Sequence, residues 1–203
     1  NNMFAKITDG AIEATGTLKQ LFPNTSFPAG VADSDFKTAN GLQDIVLGEQ
    51  KDRKYYYVTQ EDVTLVDGVA TQGFTNTAKA IEDVDAKDDD GNQLYVQVFD
   101  ADFDNGEGRP AGKMVDTSEK LVTRGLKYNM KAQIKSQANS ALAPTDWMVI
   151  RLAEREVAIP DATVTYRAAV ITECERLETA IAGAANVDAL AVVMNAQNWP
   201  GEL

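Results

Sequence analysis

The apolar residues of this chain change their spacing at Thr117, and no other feature constrains the fold as strongly. Upstream they come in short runs: Phe4-Ala5-Lys6-Ile7, Ala11-Ile12-Glu13-Ala14, Tyr55-Tyr56-Tyr57-Val58, Val63-Thr64-Leu65-Val66 and Leu94-Tyr95-Val96-Gln97-Val98-Phe99. Runs of this length, rich in β-branched and aromatic side chains, read as strands. Asp9-Gly10 and Asp67-Gly68 stand between such runs, and Asp-Gly closes tight hairpins because both residues accept positive φ. A small antiparallel sheet over about residues 3–75 follows. Within it, Tyr55 and Tyr57 are expected on one face and Tyr56 on the other, because side chains alternate along a strand. Thr17 to Phe22 suits one helical turn stopped by Pro23. Asp33 to Asn40 suits a short helix capped by Asp33 or Ser34 and ended by Asn40-Gly41.

Downstream of Thr117 the apolar positions recur every three or four residues. Leu121, Val122, Leu126, Met130, Ile134 and Ala138 form one stripe along a helix of roughly 25 residues, with Lys120, Arg124, Lys127, Lys131 and Lys135 as a basic face. Ala143-Pro144-Thr145-Asp146 ends that helix and caps a second, which holds Trp147, Val149, Ile150 and Leu152. After Pro160-Asp161, Thr163 to Ala185 is helical with Tyr166, Ala169, Val170, Cys174, Leu177 and Ile181 as its stripe. A last short helix, Val187 to Asn195, runs into Trp199-Pro200. The expected fold class is therefore α+β. It comprises a small antiparallel β-rich domain over 1–80, an acidic extended arm or β-loop over 81–116, and a helical hairpin or bundle over 117–203.

Composition narrows the function. There is no histidine, which removes the imidazole general base, the Ser-His-Asp and Cys-His arrangements and His-ligated metal sites. The single cysteine, Cys174, forms no internal disulfide and reads as a small core residue. The net charge of −12 lacks the clustered Lys and Arg of a nucleic-acid surface. That charge is local: Glu82 to Glu107 carries ten acids and one base, Lys87. The opening, Asn1 to Ile7, has no basic segment leading into an apolar run, so no signal peptide is expected, and no window reaches the ~20 apolar residues of a membrane helix. These readings lead to a non-enzymatic protein that binds neither nucleic acid nor membrane.

Among candidate sites the sharpest is calcium at Asp100, Asp102 and Asp104, since alternating carboxylates can converge on a hard cation. The spacing fails as an EF-hand, because positions six and twelve from Asp100 are Asn105 and Ala111. A looser calcium loop stands against a solvated acidic loop, and no other cofactor is expected. Paired carboxylates also raise glycoside hydrolysis, but the acids sit on loops without an aromatic sugar platform. Trp147 reads either as a partner hot spot or as the anchor of a helix joint. The basic helix face can dock on the acidic arm, in the same chain or a neighbour, in a contact that weakens with salt.

Leu142-Ala143-Pro144-Thr145-Asp146-Trp147, followed by Ile159-Pro160, Tyr166-Arg167-Ala168-Ala169 and finally Trp199-Pro200, resembles the C-terminal module of phage tail assembly chaperone and tail-fibre assembly families. Phe4-Ala5-Lys6-Ile7 and Asn24-Thr25-Ser26-Phe27-Pro28 resemble the opening of short virion-associated proteins of marine phages. The resemblance spans roughly 1–75 and 120–200 and leaves out the acidic segment. It implies a phage tail-associated protein, either a structural or adaptor subunit or an assembly chaperone. Its partners would be other tail or virion proteins and further copies of itself, in the host cytoplasm during assembly or in the virion. Trp147, Tyr166, Arg167 and Trp199 are the partner-binding residues it points to. The alternative is a calcium- or carbohydrate-binding host-recognition module.

Overall fold

The structure, a computed structural model, describes residues 2–104, 106, 108 and 111–203. The chain divides into two units, Asn1–Ala78 and Lys79–Leu203.

The first unit contains strands β1 (Phe4–Thr8) and β2 (Ala11–Gly16), helices α1 (Leu18–Leu21) and α2 (Ser34–Asn40), and strands β3 (Leu42–Asp44), β4 (Val46–Leu47), β5 (Tyr56–Val66) and β6 (Val69–Ala78). They make two sheets of three strands, ordered β2-β1-β3 and β4-β6-β5. All pairs are antiparallel except β4–β6, a parallel pair of two residues, Val46 with Thr71 and Leu47 with Gln72. Both Asp-Gly turns adopt positive φ at each residue, 52° and 76° at Asp9-Gly10 and 49° and 78° at Asp67-Gly68. This twist matches that of the flanking strands. Helix α1 opens on a capping box between Thr17 and Gln20, and the carboxylate of Asp33 accepts the Phe36 N–H at 2.8 Å to open α2. Helix α2 ends at Gly41, where a Cβ would lie 2.2 Å from the carbonyl oxygen of Ile7, so only glycine lets β1 pass.

Phe4, Leu18, Ala32 and Leu42 are buried at the centre of this unit, with Phe22, Phe27 and Phe36 packed edge to face around them. Such ring pairs contribute about 0.5–1.5 kcal/mol each beyond their buried area. Gln43 ties the two sheets together, donating to the Gly68 carbonyl at 3.0 Å and accepting the Ala70 N–H at 2.9 Å. The β5–β6 hairpin shifts register between Gln60 and Val63, so Glu61 and Asp62 form a bulge opposite Gly73. The tyrosine run departs from the alternation expected of it. Tyr55 is buried and Tyr57 exposed, because Tyr55 lies in a turn whose N–H bonds to the Asp52 carbonyl, and the strand begins only at Tyr56.

The second unit starts with strands β7 (Val84–Asp85), β8 (Tyr95–Asp100), β9 (Lys113–Lys120) and β10 (Val122–Thr123), paired as β7–β10 and β8–β9. Helices α3 (Leu126–Leu142), α4 (Asp146–Arg155), α5 (Asp161–Gly183) and α6 (Val187–Asn195) follow, with a 3₁₀ turn over Ala143–Thr145 between α3 and α4. The helix expected from Thr117 therefore begins nine residues later. Val115, Thr117, Val122 and Thr123 are β-branched and sit in strands instead. The break falls at Gly125, where a Cβ would lie 2.3 Å from the carbonyl oxygen of Glu82. The N–H groups of Leu126 and Lys127 bond to the carbonyls of Ala80 and Ile81, and the Asp83 carboxylate accepts the Gly125 N–H at 2.8 Å. The orphan donors of the helix start are thus met by the irregular segment 80–83 beside them.

The expected basic stripe is correspondingly split. Lys120 and Arg124 stand off the helix and pair with Asp85 at 3.0 Å and Asp83 at 2.8 Å, while Lys127 on α3 pairs with Glu82. Part of the acidic segment thus meets basic residues of its own unit. Lys135 pairs with Glu178 of α5 at 3.1 Å.

Helix α3 packs on α5 and α6 on α5, burying Met130, Ile134, Ala138, Val170, Leu177, Ile181, Val187 and Leu190. Fully burying a side chain such as Leu177 or Ile134 stabilises by about 1.5–3 kcal/mol. On α5 the stripe carries Glu173, buried, and leaves Ala169 exposed, against the expectation for Ala169.

Candidate functional site

The joint between α3 and α4 is built around one guanidinium. Arg167, on α5, donates to the Leu142 carbonyl at 2.9 Å and to Thr145 Oγ1 at 2.8 Å, and lies 2.9 Å from the Asp146 carboxylate. Thr145 is itself buried and donates its hydroxyl to the Leu142 carbonyl at 3.1 Å. A planar donor with several N–H groups suits this task, since it reaches a carbonyl, a hydroxyl and a carboxylate at once. Thr145 and Asp146 were expected to cap α4, and neither makes a capping hydrogen bond. The 3₁₀ turn leads straight into the helix, the Asp146 N–H bonds to the Ala143 carbonyl, and both side chains turn to Arg167.

What this joint holds out is α4. None of its ten residues is buried. Trp147 is 51% exposed, with the Arg151 guanidinium 4.7 Å from its ring centre, and Ile150 is 57% exposed, with Val149 and Leu152 also exposed. Helical spacing puts Met148, Val149 and Leu152 on one side, with Arg151, Glu154 and Trp147 on the other. A helix of this length is not held by propensity alone, so with none of its residues buried α4 depends on the joint at its start.

Tyr166 and Trp199 come together elsewhere. They line a small cavity of about 160 Å³ with Gln137, Ala141, Val170 and Pro200. The Trp199 indole N–H donates to Gln197 at 2.7 Å. The segment after α6 is fastened by Glu173, whose carboxylate takes two bonds from Arg176, at 2.6 and 2.8 Å, and the Asn198 N–H at 2.7 Å. Arg176 also donates to the Ala196 carbonyl at 3.0 Å. The Arg176 guanidinium, with the Asn198 N–H helping, holds the Glu173 carboxyl below the usual glutamate range although burial opposes it. Sequence reasoning missed this clamp, and its signal was an acid on an apolar stripe with an arginine three residues on. The four residues chosen from the sequence therefore divide: Arg167 fastens, Tyr166 and Trp199 line a cavity, and Trp147 faces outward.

The aspartates considered for calcium bond within their own loop. Asp100 accepts the Asp102 N–H at 3.1 Å and Asp104 accepts the Gly106 N–H at 2.9 Å. Asn105 and Glu107, other polar members of that stretch, lie outside the described residues. Among the described residues no three acid or cysteine side chains are gathered as a metal would need. Asp88 closes its acidic turn by accepting from Asn92 and the Asp90 N–H, and those bonds, the Asn92 side chain first, hold its carboxyl below the usual range. Cys174 is half-buried, and burial first, then Glu178 beside it, pushes its thiol up, which disfavours the nucleophilic thiolate. Among the described residues no helix is long and apolar enough to cross a membrane. No protein-family model, curated protein or solved structure matches the chain.

Proposed function

We propose that this chain is a tail-associated protein of a tailed bacteriophage, working without catalysis through contacts with other proteins in the virion or during its assembly. One observation carries the reading. The segments by which the sequence resembles tail assembly proteins meet in space: Thr145 and Asp146 are fastened by Arg167, and the helix they open holds Trp147 and Ile150 out to solvent. A rigidly anchored, exposed apolar helix is what a docking protein requires, since pre-ordering the surface lowers the cost of binding. The site of action is the host cytoplasm during assembly, or the finished tail.

Mass spectrometry of purified particles of the phage that encodes the chain tests this. A structural or adaptor subunit is found in the particles in several copies. An assembly chaperone is absent from them but captures a tail or fibre protein when the two are co-expressed. Absence from the particles together with failure to capture any tail protein overturns the reading.

A further inference from the structure

Strand β8 is an open edge. It pairs on one side with β9 and, among the described residues, with no strand on the other. Two strands alone are marginally stable in water, and further strands or a packed face are what make a sheet stand. Val98 and Phe99 of this ribbon are 49% and 65% exposed. Natural sheets guard an open edge with charged side chains or a bulge. Strand β9 carries Lys113, Asp116, Glu119 and Lys120, and β5 carries the Glu61-Asp62 bulge, whereas β8 has no charge from Tyr95 to Phe99.

Tyr95-Val96-Gln97-Val98-Phe99 reads alike in both directions: aromatic, valine, glutamine, valine, aromatic. Laid antiparallel on a second copy about Gln97, it sets each aromatic ring against an aromatic ring and each valine against a valine, pairs that favour strand association. Asp100, the first charge beyond, falls opposite Leu94, so no like charges meet. The backbone agrees with that register. The Leu94 carbonyl accepts the Leu121 N–H at 2.9 Å, and the Val96 carbonyl accepts the Thr117 hydroxyl at 2.7 Å, so these residues turn their backbone groups towards β9. By alternation, the backbone groups of Tyr95, Gln97 and Phe99 face outward, and a two-fold axis at Gln97 pairs those three. An axis at Val98 would call on groups already turned to β9.

We infer that the chain forms a two-fold dimer through β8, joining two ribbons into one four-stranded sheet ordered β9-β8-β8-β9. The palindrome is what names a second copy as the occupant of this edge. The same patch is used on both sides, so the contact closes at two copies. It goes beyond the proposed function, using no residue of α4 and no phage component.

Sedimentation velocity and disulfide trapping with the full chain test it. The unaltered chain is expected to pass from monomer to dimer with concentration and to form nothing larger. Gln97→Pro removes an outward N–H that β9 does not use, so the ribbon stays folded, as circular dichroism checks, while the axis loses both central hydrogen bonds. Its dissociation constant should rise at least about tenfold. Trapping tests the register without that variant. Hydrogen-bonded partners in antiparallel strands lie about 5.5 Å apart at Cα, within disulfide reach, so Gln97→Cys should oxidise to a covalent dimer. Asp116→Cys, opposite Gln97 on β9 but about 14 Å from its mate across three strand spacings, should not. Both are compared with the unaltered chain, whose one thiol is Cys174. A parent that stays monomeric at every concentration overturns the proposal. So does a folded Gln97→Pro chain that dimerises like the parent, or trapping as efficient at Asp116 as at Gln97. These measurements use the purified chain alone, so failure to find the chain in phage particles leaves them standing, and the reverse holds.

Discussion

Helices α4 and α5 open alike, each with an aspartate leading apolar residues at helical spacing, and end in opposite situations. Helix α5 buries Thr163, Val170, Glu173, Leu177 and Ile181, whereas α4 buries none of its residues. Amphipathic spacing therefore announces that a helix has a face to cover and is silent on what covers it. Helix α4 is kept in place at its start by Arg167, and by few of the contacts that hold α5. A protein that used every apolar face for its own stability would have none left for a partner.

The largest test of that contrast is in the core. Leu177→Ala, at a side chain with no exposure, should cost about 2–5 kcal/mol. Leu152→Ala on α4 should stay within about 0.5 kcal/mol. Urea unfolding followed by circular dichroism measures both, and equal losses would break the comparison. Next comes the buried acid. Glu173→Gln should cost about 1 kcal/mol or more, toward the lower end because the Arg176 side chain is about half exposed. It also carries a pH signature. A carboxyl held below its ordinary value of 4.5 contributes stability that is full above that value and lost as pH falls below it, toward the folded-state value. The melting temperature of the parent should therefore fall more steeply under acid than that of Glu173→Gln, and parallel curves would remove the clamp's role.

Smaller again is the joint. Arg167→Met removes bonds to Leu142, Thr145 and Asp146 together, and should raise amide exchange in α4 roughly tenfold while leaving the centre of α5 protected. Exchange that rises equally in both helices would mean that Arg167 supports the whole bundle rather than α4. The smallest effect belongs to the surface pairs: Asp85→Asn, opposite Lys120, should leave the melting temperature almost unchanged at any salt concentration.

The sequence disclosed features whose cause is local. Asp9-Gly10 and Asp67-Gly68, the Asp33 cap and the length of α6 all depend on neighbours within a few residues. It failed where the cause is distant. The start of α3 is decided at Gly125 by the backbone of Glu82, and spacing alone extended the stripe through Leu121 and Val122. Tyr55 was misplaced because the turn from Asp52 delays the strand by one residue, and one residue inverts a face. At the site, the segment from Leu142 to Asp146 and Arg167, singled out in the sequence, meet at one joint. That Arg167 fastens while Trp147 faces solvent depends on how α3, α4 and α5 meet, which no spacing records.

The two sheets of the first unit also differ in how soon they can form. In the β5–β6 hairpin every pair is reached outward from Asp67-Gly68, so it can zip from its turn on the ~1–10 μs scale of isolated hairpins. Strand β1 pairs readily with β2, but its other partner, β3, matches Phe4 to Asp44 and needs the intervening chain gathered first. Loop closure of that length slows folding through the contact-order effect. In refolding, burial of the Phe4–Leu42 core should lag hairpin formation, and Gln43, which bridges β3 to the hairpin turn, should lock last.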